Sequence, residues 1–138
     1  MLREIEEETK TNIGILDNLA KSVPKLLDRQ EVPIYIPHRM KLEVYQYIVQ
    51  SGEIRLVNDI SKQRLIRYVA DLCSRFNDFV ANTELLLATL LDKPNGLKLA
   101  HQRLNGLMEQ AADDKKILSI WLKEIQGETP TKENRKKS

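Results

Sequence analysis

Along the first 23 residues apolar side chains recur in three- and four-residue steps. Leu2, Ile5, Leu16, Leu19 and Val23 fall on one helical face, with Thr9 and Asn12 filling two of the steps between them. A first helix from Leu2 to Ser22 is predicted. Pro24 stops or kinks it at Val23, and a further turn carries Leu26 and Leu27. The run Glu4, Glu6, Glu7 and Glu8 complements the positive end of the helix dipole and reads as a solvated face. In Val32-Pro33-Ile34-Tyr35-Ile36-Pro37 two prolines bracket β-branched and aromatic residues, which favours an extended strap. Ile34 and Ile36 would point the same way from it, onto the helices. A short second helix is expected from His38 to Gln50, with Leu42, Tyr45, Ile48 and Val49 inward and Gly52 supplying a left-handed end.

The third helix carries the longest regular pattern. Leu65, Val69, Leu72, Phe76, Phe79, Thr83, Leu86 and Leu90 form its main stripe, and Ile66, Cys73, Val80 and Leu87 run beside it, seven residues apart. Glu53 to Val57 reads as a link, and Asn58 or Asp59 as the N-cap. A helix from Asp59 to Leu91 would be about 50 Å long. Asp92-Lys93-Pro94-Asn95-Gly96 then concentrates turn residues. After it Leu97, Ala100, Leu104, Leu107, Ala111, Leu118, Trp121 and Ile125 resume the rhythm, with Asp114 the one polar position on that face. So short a turn between two long amphipathic helices implies an antiparallel hairpin.

These elements define an all-α fold, an antiparallel helical bundle built on a long hairpin, with the first helix packed against it and the short second helix crossing or covering one end. Residues 1–127 are expected to form one domain. Gly127 and Pro130 end it, leaving 128–138 as a disordered basic tail. The chain of 138 residues is 41% hydrophobic and 30% charged, a balance that suits a globular domain with one core. Its 22 basic and 20 acidic side chains leave a formal charge of +2, so no broad positive field is available for nucleic acid or anionic lipid. The longest apolar cluster, Leu85 to Leu91, is far short of the roughly 18 to 20 residues that span a bilayer.

Catalytic and metal chemistry find little support. A di-iron bundle needs Glu-x-x-His pairs, but Tyr35 and Lys98 stand three residues before His38 and His101. Cys73 is alone, so it closes no internal disulfide. Its place between Leu72 and Phe76, mid-helix, describes a buried thiol better than a nucleophile or a crosslink. Asp113 and Asp114 diverge by about 100° on a helix and form no preorganised dyad. No glycine-rich phosphate loop follows a strand. Lys115-Lys116 and the tail's Lys132, Arg135, Lys136 and Lys137 lack aromatic interleaving and read as solubilising charge. Thr9, Asn12, Thr83 and Asp114 are polar at core positions. They either fix register and oligomeric state or mark faces left open where a neighbouring helix ends.

At Ser51-Gly52-Glu53-Ile54-Arg55-Leu56, with Phe76-Asn77 on the long helix that follows, the chain resembles a loose group of uncharacterised microbial helical proteins. The Leu-Arg-Glu-Ile-Glu-Glu opening and Asn12 are also similar, and the resemblance spans about the first 80 residues. It implies no activity. Such proteins often place a hydrophobic anchor ahead of the first helix, whereas Met1 begins directly on the amphipathic pattern. A soluble relative or a trimmed domain is therefore expected, cytoplasmic, or membrane-associated only through an anchor outside these residues.

The function expected is a protein–protein interaction, scaffolding or sensing module without catalytic, cofactor-binding or metal site. An enzyme of unrecognised type and weak nucleic-acid binding through the tail are the alternatives. The third helix has two stripes, and Met108, Ile117, Ile120 and Leu122 widen the fourth, while only two shorter helices can cover them. A homodimer or a helical partner is expected on the uncovered part, with Ile66, Val80, Leu87, Ile117 and Ile120 as its interface.

Overall fold

The computed structural model describes residues 2–28, 32, 36 and 38–128, and four α-helices account for most of them: α1 (Leu2–Leu27), α2 (Glu43–Ser51), α3 (Ile60–Leu90) and α4 (Gly96–Glu128). Among the described residues there is no strand, and the fold is an all-α bundle. In α1 the chain stays helical through Pro24 to Leu27. Asp59 caps α3 by accepting from the Ser61 N–H at 2.8 Å. The α3–α4 turn closes with Leu90 and Lys93 carbonyls accepting from the Lys93 and Gly96 amides. A Cβ on Gly96 would lie 2.1 Å from the Leu90 carbonyl oxygen, so this hairpin is tight enough to require glycine.

The hairpin makes α4 antiparallel to α3. Two further pairs, Lys115 with Asp17 and Gln126 with Glu6, make it antiparallel to α1 as well. α1 and α3 therefore run the same way, and α4 packs along both. A four-helix bundle would place another helix in the groove between α1 and α3. Here Ile36 and the non-helical chain at 38–42 occupy it, followed by α2. Asn77 of α3 holds Met40 in a two-bond clamp, its Oδ1 accepting from the Met40 N–H and its Nδ2 donating to the Met40 carbonyl, each at 2.8 Å. Asn12 of α1 holds the next residue in the same way, at 2.6 Å to Lys41 N and 2.9 Å to Lys41 O. In extended backbone, successive residues turn their N–H and C=O to opposite sides, so neighbouring residues can be gripped by helices on either flank. Each asparagine replaces the partner strand that the strap lacks.

Glu8 completes the anchorage. The second helix begins at Glu43 rather than His38, because residues 38–42 are drawn out along the clamps. Leu42, at its N-cap, has no side chain that can cap it. The Glu8 carboxylate of α1 does so from outside, accepting from Val44 N at 3.0 Å and Tyr45 N at 3.3 Å. Glu8 thus departs from the solvated face expected of the acidic run and is buried. Behind it lies a directional chain: Trp121 Nε1 donates to the Tyr45 hydroxyl at 2.9 Å, Tyr45 donates to Thr9 Oγ1, and Thr9 donates to the Ile5 carbonyl at 2.7 Å. It ties α4, α2 and α1 together.

α2 ends on Gly52 at φ 83°, the left-handed end expected there. The expected link after it is a single 3₁₀ turn, Glu53–Leu56. Ile36 is fully buried, so the strap is pinned as expected at that residue, while Ile34 lies outside the described residues. α4 continues through Gly127 to Glu128, and the tail at 129–138 lies outside the described residues.

The buried side chains form one cluster. On α1 and α4 they follow the expected stripes, including Thr9, Asn12 and Asp114. On α3 the buried residues are Ile66, Val69, Leu72, Cys73, Phe76, Val80, Thr83, Leu87 and Leu90, so Val69, Leu72, Phe76, Thr83 and Leu90 of the expected main stripe are inside. Leu65 and Leu86, expected on the main stripe, are exposed, and Phe79 is half-buried. The reason is the strap. It covers α3 on the Asn77 and Glu84 side, where Glu84 accepts from Ile36 N and pairs with Arg39. That turns the inward direction of the helix toward Ile66, Cys73, Val80 and Leu87.

Candidate interaction surface

The rotation of α3 leaves part of its opposite apolar edge in solvent, at Leu65, Tyr68 and Leu86, while Leu72 on the same edge stays buried. Leu65, Tyr68, Leu72, Arg75, Phe79, Asn82 and Leu86 alternate three- and four-residue steps and so share one flank of α3. On α4 the residues Leu99, Arg103, Gly106, Gln110, Asp113, Ile117 and Ile120 do the same. The two flanks meet in an outer groove. Its middle is a cavity of 290 Å³ lined by α3 and α4 alone, with Tyr68, Leu72, Phe76, Phe79 and Ile117 as apolar walls and Arg75, Gln110, Asp113 and Asp114 as polar ones. Beyond the cavity the groove stays apolar. Leu65 and Tyr68 are 37% and 46% exposed, Leu86 and Leu99 39% and 43%, and Ile120 64%.

Two polar groups of the groove, Gln110 and Asp114, pair with each other, and Arg75 pairs along its own helix. Arg75 Nε binds Asp71 on its own helix at 2.9 Å. Gln110 Nε2 donates to Asp114 Oδ1 at 3.0 Å. The Arg103 guanidinium lies 4.9 Å from the centre of the Phe79 ring, a cation–π contact between α4 and α3. Asp114 is the buried member. Burial pushes its carboxyl above the usual carboxylate range, and the hydrogen bond from Gln110 opposes that shift.

The five residues expected at an interface divide between core and surface. Ile66, Val80 and Leu87 are fully buried in this chain's own core. No partner can reach them without opening the bundle, because this chain's own elements, among them the strap held at Asn77 and Glu84, already cover that edge. Ile117 lines the cavity and Ile120 stands at one end of the groove. Tyr68, Phe79, Leu86, Leu99 and Arg103 belong to the same face. Their signal in the sequence was the three- and four-residue spacing, which cannot by itself say which of two adjoining apolar edges is covered.

Elsewhere, Cys73 is fully buried with Asn12 Nδ2 3.8 Å from its sulfur, and burial pushes its thiol up to about 12. His38 sits at the end of the strap with its Nε2 3.1 Å from Ser22 Oγ. A second hollow, between the starts of α1 and α2, is lined by Glu4, Glu43 and Glu53 with Val44, Tyr47 and Ile48. No group of three or more His, Cys, Asp or Glu among the described residues is placed to hold a metal ion. No helix among them is long and apolar enough to cross a membrane. Compared with known proteins, the chain matches no family model, no curated protein and no solved structure.

Proposed function

We propose that this protein is a helical protein–protein interaction module, serving scaffolding or sensing rather than catalysis, and that it binds through the outer groove of α3 and α4. The observation that supports this is the run of exposed apolar side chains along both lips of one groove, Leu65, Tyr68 and Leu86 on α3 and Leu99 and Ile120 on α4. Side chains at these spacings offer the holes and ridges into which another helix packs. The groove is held on the two longest helices of the bundle, so it is presented rigidly.

The test is site-specific photo-crosslinking of the intact protein in its host cells, with a photoactivatable phenylalanine analogue at Tyr68, at Leu86, or at Leu56 on the 3₁₀ turn. Leu56 is 72% exposed but lies off the groove. Adducts from Tyr68 and Leu86 with few from Leu56 are expected. Equal yields from all three sites, or none from the groove, would overturn the proposal.

A further inference from the structure

We propose that the cavity in the middle of the outer groove binds a small organic ammonium compound, a primary amine on an apolar body, and that Asp114 holds the amine. This site goes beyond the groove's role as a surface for helices and does not depend on it. Its basis is one buried carboxyl whose hydrogen bonding the chain leaves incomplete.

Five polar or charged side chains are buried among the described residues: Glu8, Thr9, Asn12, Thr83 and Asp114. Buried polar groups are as a rule met by partners. The first four are met inside the fold, Glu8 by the start of α2, Asn12 by the strap, Thr9 by Tyr45 and the Ile5 carbonyl, and Thr83 by the Phe79 carbonyl. Asp114 differs from them. Gln110 Nε2 donates to its Oδ1 from one turn back on the same helix, while Oδ2 has no hydrogen-bond partner among the described residues. Oδ2 is not sealed away either, since the sealed and partnerless polar side-chain atoms among those residues are His101 Nε2 and Arg103 Nε. Asp114 is 4% exposed and lines the cavity. A carboxyl oxygen lacking a donor therefore opens into a space of 290 Å³.

The walls select the chemistry of the occupant. Leu72, Phe76 and Ile117 border the cavity beside Asp114, so the body of the ligand is apolar. The charge follows from the polar lining. Asp113 adds a second carboxylate, whereas the guanidinium of Arg75 is already paired with Asp71. Arg103 stacks on Phe79 and lies about 16 Å along α4 from Asp114, too far to act as its counter-ion. Burial, the largest influence on the Asp114 carboxyl, favours its neutral form. An ammonium group at Oδ2 supplies the missing positive charge together with a charge-assisted hydrogen bond. An anionic ligand would face two carboxylates. A metal ion would find too few ligands, because Asp113 and Asp114 diverge by about 100° on the helix and no third His, Cys, Asp or Glu among the described residues joins them. The volume is near the lower end of the range of about 300–1,000 Å³ for ligand pockets, which limits the body to a short chain or one ring.

Titration of the isotopically labelled full chain, followed in proton–nitrogen correlation spectra, tests the site. The probes are phenethylamine and hexylamine, each compared with its alcohol, phenethyl alcohol and hexanol. The amines should give saturable shifts at the amides of Phe76, Gln110, Asp114 and Ile117. Affinity on the order of 1 mM is expected for probes so small, at least roughly tenfold tighter than that of the alcohols. Asp114→Asn keeps the shape of the side chain and removes its charge. After circular dichroism has shown it to be helical, this variant should bind the amines at least roughly tenfold more weakly and lose the preference over the alcohols. The hollow lined by Glu4, Glu43 and Glu53 serves as an internal comparison, being acidic without a buried carboxyl.

Equal binding of amine and alcohol, or an Asp114→Asn protein that binds the amines like wild type, would overturn the proposal. So would shifts centred on Val44 and Tyr47 beside the other hollow, or no shift with either amine. Amine binding without cellular crosslinks from Tyr68 and Leu86 would leave the cavity site standing and end the helix-binding role of the groove. Crosslinks without amine binding would do the reverse.

Discussion

Replacing Asn12 by alanine tests whether the strap is held as the fold requires. Asn12 is fully buried and makes two hydrogen bonds to the backbone of Lys41, at 2.6 and 2.9 Å. Alanine removes both and leaves the Lys41 N–H and C=O without their partner. A made hydrogen bond is worth about 1 kcal/mol net, and a buried group left unmet costs about 1–3 kcal/mol. Because Lys41 is at the bundle surface, water can reach part of its backbone, and the lower half of that range applies. About 3 kcal/mol is expected for the pair, or about 12 °C in Tm for a domain of this size. Asn77→Ala removes the matching clamp on Met40, but Asn77 is only half-buried, so water replaces more of it and about 1–2 kcal/mol is expected. Asn12→Asp keeps the shape and the acceptor but cannot donate to the Lys41 carbonyl, and it buries a charge, so it should be no milder than alanine. Urea unfolding followed at 222 nm gives the energies, and amide exchange at Met40 and Lys41 reports the strap directly. An Asn12→Ala protein within about 0.5 kcal/mol of wild type, or one more stable than Asn77→Ala, would refute this account of the strap.

Two further outcomes follow from buried titratable groups. Burial raises the Asp114 carboxyl, so ionisation opposes folding, and the stability that the neutral acid contributes is lost as pH rises through its folded-state value. Asp114→Asn should therefore raise Tm at pH 7, by an amount that shrinks as the pH is lowered toward 4; a lowered Tm at pH 7 would contradict this. The Cys73 thiol is raised by burial from 9.0 to about 12, and the Tyr45 hydroxyl is raised as well. Stability should then fall as pH climbs from 9 toward 12, less steeply in Cys73→Ala, and a thiol reagent should label Cys73 only on unfolding.

The sequence by itself determined the helices, because an apolar stripe at helical spacing depends only on residues close along the chain. Leu2 to Val23, the Asp59 cap, the turn at Asp92–Gly96 and the α4 stripe through Asp114 were all legible for that reason. The groove residues were legible as helical positions but not as surface. α3 carries two adjoining apolar edges, and periodicity is indifferent to which one is covered. That choice was made by an extended strap with no periodicity of its own, held by Asn12, Asn77, Glu8 and Glu84. Glu8 looked like one more carboxylate in a solvated run. Its role as the cap of α2 exists only once a helix start 35 residues later is brought beside it. Hydrogen bonds between segments distant in sequence leave no local pattern, since an asparagine that clamps a strap and one that faces water have the same neighbours in the chain. The tertiary structure alone therefore decided that Ile66, Val80 and Leu87 lie inside and that Leu65, Tyr68 and Leu86 face outward.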